Sequence, residues 1–366
     1  MADSAIRATR TLPDCRSFTL IEMLVSLAIF SIIMVLVAQM ISETELAWKR
    51  SSANIQAFQG ARTAFDTMYR TISESTLNTY YDYYEYSNSE YVPYSTNNAT
   101  NFAPAAYGRY SELHFICGPS LVTLPRAQVT HSIFFQTPAS YTATSSSYGN
   151  MNSLLNAVGF YIDFNTDYSS WPAFLTTLSI PPAQRWRYRL MEFIQPTEQL
   201  TIYTNTTGTG WFTNAIASSS PPVEVLAENI IACVICPHLS GELTPNEPYS
   251  TLATNYEYDS RMGATASTSG WTNGAQPTAM NQLPPLVRVV LIAADEPSMI
   301  QFQGSSTTQP NLGFSYTNVF QTANNLTTDI ATVSAALTAD HVNFHVFQTD
   351  IPIRSAEWSE STTSAN

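Results

Sequence analysis

The chain has 366 residues and a mass of 40.4 kDa, and its 28 Asp and Glu against 15 Lys and Arg give a formal charge of −13 at pH 7. Binding to nucleic acid needs clustered cations, so this balance argues against a nucleic-acid partner. Only 12% of the residues are charged, about half of the usual ~25%, and 44% are hydrophobic, which excludes a disordered chain and predicts an exported protein with uncharged polar surfaces.

The first predicted element is an apolar segment near the amino terminus. Residues 18–41 read FTLIEMLVSLAIFSIIMVLVAQMI and contain a single ionisable group, Glu22. This stretch is long enough to cross a membrane, which needs about 20 mostly apolar residues. A secretory signal peptide has a shorter apolar core, followed by small residues at its cleavage site. Residues 1–17 carry three arginines, and arginines before a first span tend to stay in the cytoplasm, so we expect the rest of the chain to be exported.

Glu22 is the unusual feature of this segment. A carboxylate in a membrane costs about 2.5–3.5 kcal/mol near the centre and less near an end, so we expect a compensating partner. Cleavage before Phe18 would create an α-amino group four residues from Glu22. That cation could pair with Glu22 of its own chain or of a neighbouring chain, and the second arrangement would be a contact of subunit assembly.

The sequence RSFTLIEMLV at residues 16–25 resembles the class III signal of type IV prepilins and type II secretion pseudopilins. The resemblance implies that a prepilin peptidase cuts between Ser17 and Phe18 and methylates Phe18 as the new terminus. It also implies that Glu22 aligns each subunit with its neighbour in a filament. The family usually has Gly before the cut, where this chain has Ser17. A simple membrane anchor with an incidental glutamate is the alternative.

The helix is predicted to continue past the apolar segment. Phe58, Phe65 and Ile72 recur every seven residues, which is typical of one face of an amphipathic helix. We therefore predict one helix of about 90 Å, with residues 18–41 as its transmembrane and assembly part and residues 42–77 as its amphipathic continuation. Two helices with a break between these parts are the alternative.

The remaining chain is predicted to form a β-rich head. Residues 78–111 hold nine of the 20 tyrosines among Asn and Ser, with few aliphatic residues, and we predict a long surface loop there. Residues 112–366 contain short segments rich in β-branched and aromatic residues without regular βαβ alternation, which predicts a mainly antiparallel sheet. One short helix is expected over residues 328–340. The predicted strands cover residues 112–117, 132–136, 158–164, 186–194, 199–203, 230–235, 286–293 and 342–347.

Together these elements predict an α+β, pilin-like fold with a long amino-terminal helix and a β-rich head. Four segments of the head are similar to the Verru/Chthon cassette protein C family, which consists of pilin-like proteins with no assigned activity. That resemblance implies a large subunit of the minor-pseudopilin kind. The segments are residues 188–203, 226–240, 283–298 and 347–359.

Three cysteines would remain after removal of a leader that contains Cys15. Cys233 and Cys236 have the CxxC spacing of redox and zinc sites. On a strand, however, residues three apart point to opposite faces, so we expect buried packing of both thiols. A disulfide from Cys117 to Cys233 or Cys236 is the alternative.

A weak calcium candidate lies at Asp163, Asn165 and Asp167, which alternate as oxygen ligands do at the start of a calcium-binding loop. An EF-hand loop would need Gly and Glu where this chain has Tyr168 and Phe174. A turn at the end of a strand is therefore favoured, and no metal and no cofactor are predicted.

Two further patterns have structural and functional interpretations. His341 and His345 have the spacing of metal ligands on a helix, but apolar residues alternate with them, so we expect a solvated strand face. Arg185, Arg187 and Arg189 alternate with apolar residues and would form one basic face of a strand. We favour a role in balancing the acidic head over a partner-binding patch.

The sequence thus predicts a non-catalytic structural subunit of a type IV pilus-like or type II secretion-like filament. The size of the head favours a minor subunit. Its expected partners are a prepilin peptidase, other pilin or pseudopilin subunits and inner-membrane lipid, with the head in the periplasm or on a cell-surface filament. The alternatives are a membrane-anchored adhesin or ligand-binding ectodomain, and an anchored enzyme.

Overall fold

The computed structural model separates the chain into two compact units, Met1–Ser52 and Ala53–Asn366. Side chains at residues 50, 53–57 and 169–170 are not described. The described residues are 20–95, 98, 100–123, 129–143, 148, 151, 153–205, 208–244, 249–261, 271–272, 275–304 and 306–359.

One helix, α1, extends from Leu20 to Ser73 and contributes residues to both units. Its sequence contains no proline, which would interrupt the backbone hydrogen bonds of the helix interior. Glu22 in the first turn and Arg70 in the last turn have the charges that the helix dipole favours at those ends. The helix is continuous, so the structure does not show the alternative of two helices.

The described part of the second unit contains three antiparallel sheets, whose strands are numbered in chain order. The first sheet has the order β2-β1-β3, with β1 Tyr80–Ser87, β2 Glu90–Pro93 and β3 Pro104–Tyr110. The second has the order β10-β4-β5-β6-β7-β8, with β4 Ile116–Pro119, β5 Val129–Thr137, β6 Asn156–Thr166, β7 Trp186–Gln195, β8 Val223–Glu228 and β10 Tyr258–Asp259. The third has the order β12-β11-β9, with β9 Ile230–His238, β11 Leu286–Ala294 and β12 Phe344–Pro352.

Short helices connect these strands, and the structure confirms the predicted helix near the carboxyl end. Its buried residues include Val333 and Leu337, which lie four apart on one helical face. The α-helices after α1 are α2 Ala173–Thr176, α3 Gly210–Ile216, α4 Glu296–Gln303 and α5 Leu326–Ala339. Single 3₁₀ turns cover Asp167–Ser170, Thr197–Gln199 and Ala323–Asn325.

The tyrosine-rich segment is a three-stranded sheet, so the predicted loop over residues 78–111 was wrong. Tyrosine favours strands, and aromatic pairs across strands stabilise a sheet. Tyr84 is fully buried against Trp271, with ring centroids 4.5 Å apart. The small core of this sheet is therefore aromatic, and the low content of aliphatic residues was misleading.

Two predicted strands differ from the structure because their backbone groups form hydrogen bonds other than those of a strand ladder. The predicted strand at residues 199–203 is a turn, since the Thr201 carbonyl accepts hydrogen bonds from the backbone N–H groups of Thr204 and Asn205. The strand predicted at 112–117 begins only at Ile116. Ahead of it, the His114 N–H donates at 2.7 Å to the side chain of Gln136 on β5 instead of to a backbone carbonyl of that strand.

The last turns of α1 pack against the third sheet, as the predicted amphipathic stripe requires. Phe58 lies 5.7 Å from His345 and Phe65 lies 5.8 Å from Phe347, measured between ring centroids. Both partners lie on β12. The side chains of α1 that are fully buried in this contact region are Ala61, Ala64, Met68 and Ile72.

A buried histidine connects the second and third sheets. The N–H of Ile235 on β9 donates to His131 Nδ1 at 3.2 Å, and His131 Nε2 lies 2.9 Å from the Phe320 carbonyl oxygen. Nδ1 accepts a hydrogen bond, so the ring is neutral and Nε2 carries the proton. On the same strand, the Cys233 N–H donates to the Thr130 hydroxyl at 2.9 Å. Side chains of β5 therefore accept hydrogen bonds from backbone N–H groups on the edge of β9 that faces away from β11.

The burial of His131 predicts a loss of stability in mild acid. Burial lowers the pKa of His131 to about 4, against about 6.5 in an unfolded chain. The unfolded state therefore binds the proton first. The stabilisation is complete above pH 6.5 and falls by about 1.4 kcal/mol per pH unit down to pH 4.

Urea unfolding of the full chain between pH 4 and 7 measures this slope. His131→Gln keeps one donor and one acceptor but does not titrate, so its slope should be shallower. The exposed His341 has a φ of 57°, which Asn tolerates, and His341→Asn is the matched control with an unchanged slope. Equal slopes for His131→Gln and the native chain would contradict the assignment. Burial also lowers the pKa of His114, but His114 is present in all three proteins.

Candidate functional site: the amino-terminal helix

Glu22 lies in the first turn of α1, and its side chain is exposed together with those of Ile21 and Met23. A carboxylate at this end of a helix is favoured by the partial positive charge of the first N–H groups. The predicted cleavage residues Ser17 and Phe18 lie outside the described residues. Pairing of Glu22 with a new amino terminus therefore stays a prediction.

The helix around Glu22 has the surface of a membrane span. Within Leu20–Lys49, the most apolar window of 18 residues has a mean hydropathy of 2.7, and none of it is buried in the protein. At 1.5 Å per residue, Leu20–Lys49 is about 45 Å long, which exceeds the ~30 Å hydrocarbon thickness of a bilayer. By length and composition, this helix can cross a membrane.

Several serine and threonine hydroxyls along the apolar helix are satisfied inside the helix. The hydroxyl of Ser26 donates to the Met23 carbonyl at 3.0 Å, and that of Ser31 donates to the Ala28 carbonyl at 2.8 Å. Ser42 and Thr44 make the same kind of bond to carbonyls four residues earlier. Because these hydroxyls need no partner outside the helix, they reduce the cost of placing it in lipid.

The far end of the span carries residue types that occur at membrane–water interfaces. Trp48 is 75% exposed, and its neighbour Lys49 is the only lysine of the chain. Trp is enriched at the level of the lipid headgroups, and lysine side chains extend their charge toward water. These two residues fit the boundary at which the apolar surface ends.

The three cysteines of the head are free and buried. Cys233 and Cys236 lie on β9, where burial raises the pKa of each thiol to about 12. Both thiols are therefore protonated and unreactive at neutral pH. The structure agrees with the expected buried packing and does not contain the alternative disulfide to Cys117.

The residues of the predicted calcium site bind other protein groups. Asn165 Nδ2 donates to Asp163 at 3.1 Å, and Asn165 Oδ1 accepts from Arg189 at 2.7 Å. Asp167 accepts from the side chain of Arg185 at 3.1 Å. Within the described ranges, no group of three or more His, Cys, Asp or Glu could hold a metal ion.

The alternating arginines each bind a carboxylate of the head, as expected for charges that balance its acidity. Arg187 and Arg189 are buried, and their guanidinium groups approach the carboxylates to 3.1 and 3.0 Å. These arginines have a structural role, because their ion pairs join segments that are distant in sequence. The pairs are Arg185–Asp167, Arg187–Glu296 and Arg189–Glu228.

The two histidines near the carboxyl end lie on different elements of the fold. His341 lies in the turn before β12 and is exposed. His345 lies on β12, and its ring packs 4.6 Å from that of Phe347. The predicted arrangement of both residues on one solvated strand face is wrong for His341, which precedes the strand.

Sequence reasoning missed a buried network around His114. Its Nε2 lies 2.7 Å from Asp259 Oδ1, and Trp211 Nε1–H donates to its Nδ1 at 3.0 Å. Burial lowers the pKa of His114, so the ring is neutral and donates to Asp259. Trp211 occupies the nitrogen that a general base would use, which gives the network a structural role. Its members are far apart in sequence, and no local motif connects them.

The comparisons with known proteins concern the amino-terminal segment. A family model of the prokaryotic N-terminal methylation motif matches residues 12–38, which include the predicted cleavage site and Glu22. No curated protein and no solved structure matches the chain. The likeness of the head to the Verru/Chthon cassette protein C family therefore stays a prediction. By its methylation motif, its apolar first helix and its antiparallel β-rich head, the chain is similar to type IV prepilins, the precursors of pilin and pseudopilin subunits.

Proposed function

We propose that the chain is a structural subunit of a type IV pilus-like or type II secretion-like filament. The observation that carries this proposal is the methylation motif over residues 12–38 with Glu22 inside it. The exposed apolar surface of α1 supports it, because such a surface is suited first to lipid and then to the helices of neighbouring subunits.

Glu22 is the assembly residue in this proposal. A carboxylate in an apolar filament interior needs a cation, and a processed neighbour would supply one as its α-amino group. The contact would form only between processed chains. It would therefore couple removal of the leader to assembly.

Removal of the leader is the first testable step. Mass spectrometry of the protein from its native host should find Phe18 at the amino terminus with one methyl group. Ser17→Leu places a bulky side chain before the cut and should leave residues 1–17 attached. Ser17→Gly restores the residue usual in the family and should be processed at least as well. A native chain that begins elsewhere would contradict the proposed processing.

The role of Glu22 is tested by a matched pair of variants on the same helix. Glu22→Ala should be cleaved normally but should be reduced at least tenfold in filaments sheared from cells, because its cation partner has no counter-charge. Glu43 is an exposed carboxylate of α1 beyond residues 18–41, and Glu43→Ala should assemble normally. Quantitative immunoblots of filament and membrane fractions measure both. Normal incorporation of Glu22→Ala would contradict the assembly role.

We further propose that the subunit is a minor one, carried outside the cytoplasm. The second unit contains residues 53–366, a large head for a helical array of identical copies. Quantification of purified filaments by mass spectrometry should find this chain at a small fraction of the most abundant subunit. Its recovery as the bulk of the filament would contradict the minor role.

A non-catalytic role is part of the same proposal. The buried histidines of the described head contact backbone groups, a tryptophan or neighbouring carboxylates, and its thiols are buried. His114 illustrates this, because Trp211 and Asp259 occupy both of its ring nitrogens.

The second candidate function is a membrane-anchored ectodomain that binds a ligand. The exposed tyrosines of the first sheet favour it, because a cluster of half-exposed aromatic rings is suited to contact with other molecules. Full-length, uncleaved protein in the membrane would support this function over filament assembly.

A further inference from the structure

A polar cleft opens in the second unit where the chain leaves α1. Its volume is about 260 Å³. The loop after the helix, the start of β1, the end of β3 and the carboxyl-terminal segment all contribute to it. Residues that line it include Asn78, Tyr81, Arg109, Asn281, Glu357 and Ser359.

The floor of the cleft is rigid because its polar side chains are buried and fixed. Arg109 is 3% exposed, and its guanidinium donates to the carbonyls of Met280 and Pro277 at 3.3 and 3.2 Å. Asn281 is equally buried, and its amide donates to the Arg109 carbonyl at 2.8 Å. Groups held in this way lose little conformational entropy when a ligand binds.

A row of three half-exposed tyrosines leads away from the cleft, and we name it the tyrosine row. Tyr81 and Tyr83 lie two residues apart on β1, and Tyr107 on the neighbouring strand β3 pairs with Tyr83. The rings of Tyr81 and Tyr107 are stacked, with centroids 5.4 Å apart, and those of Tyr83 and Tyr107 are 5.2 Å apart. Tyr81 also lines the cleft, so the row and the cleft form one continuous surface.

The opposite face of the same sheet explains why these rings remain in solvent. There Tyr84 is buried against Trp271, and a Cβ added at Gly108 would come within 3.2 Å of that indole. Gly108 therefore allows Trp271 to pack closely and fixes which face of the sheet is covered. The tyrosine row lies on the face left exposed.

The chemistry of this surface selects a neutral, hydroxylated ligand. The cleft carries one cationic and one anionic side chain, Arg109 and Glu357, together with two leucines and a majority of amides and hydroxyls that can both donate and accept. The chain as a whole has a charge of −13, which disfavours anionic ligands. Exposed tyrosine rings offer apolar area with a polar tip, which suits the alternating C–H and O–H surface of a sugar.

We propose that the cleft and the tyrosine row bind a neutral saccharide. At about 260 Å³ the cleft is below the ~300–1,000 Å³ typical of sites for drug-sized ligands, so it accommodates one sugar residue. The next residues of an oligosaccharide lie over the rings of Tyr81, Tyr107 and Tyr83. This proposal does not depend on filament assembly, because every residue involved belongs to the second unit.

Saturation-transfer NMR on the full chain in nanodiscs tests the proposal with three defined probes, maltotriose, cellotriose and triacetylchitotriose. At least one probe should receive saturation from the protein, with a dissociation constant in the millimolar range or tighter. Tyr81→Ala and Tyr107→Ala should each weaken binding about tenfold, and Tyr81→Trp should retain it. Tyr86→Ala is the matched control, because Tyr86 is an exposed tyrosine of β1 outside the tyrosine row. Its binding should equal that of the native chain.

Folding of each variant is checked by its urea midpoint, which should fall only slightly for the alanine variants because each loses a cross-strand ring pair at a half-exposed site. Absence of saturation transfer to all three probes would overturn the proposal, as would equal binding by the native chain and Tyr81→Ala. Concentration-dependent self-association that Tyr81→Ala abolishes, without transfer to any saccharide, would assign the surface to a second copy of the chain instead.

Discussion

The cost of placing one carboxylate in hydrocarbon limits the surroundings that the first unit tolerates. Glu22 is the single ionisable group of residues 18–41, and hydrocarbon surrounds penalise it. Its place in the first turn of α1 lowers that penalty through the helix dipole and keeps the charge near the end of the span. A partner cation would lower it further. The Glu22 carboxylate is therefore tolerated in the membrane, and its placement becomes favourable where it pairs with a cation.

The serine and threonine hydroxyls of the span form hydrogen bonds within their own helix. Serine and threonine hydroxyls donate to carbonyls of the preceding turn, so the outward surface stays apolar. In the second unit, by contrast, several buried polar groups bind partners far away in sequence. Examples are His131, which connects two sheets, and Arg187, which reaches Glu296.

The parts of the fold that depend on local sequence could be predicted. The apolar segment, the continuous helix and the strands around Phe160 and Leu291 follow from composition and periodicity within short windows. The tyrosine-rich sheet could not be predicted in this way, because its core needs Trp271 from another part of the chain. The same reason applies to the cleft, whose floor joins Arg109 to backbone carbonyls near residue 280.

The motif around Glu22 could be read directly, because its residues are adjacent in the sequence. The partners of the alternating arginines could not, since spacing alone gives a basic face and leaves its carboxylates unspecified. The strand expected at 199–203 was wrong for a local reason that composition hides, namely competition from threonine side chains and turn hydrogen bonds.

The buried thiols of the head have a consequence for its folding. Cys117, Cys233 and Cys236 contribute to the core as small apolar groups, in their reduced form. Formation of this core therefore needs no disulfide bond among these three residues. Once the core has closed, oxidants in the solvent have little access to these sulfur atoms. The described core around these cysteines is thus held by packing rather than by covalent cross-links among them.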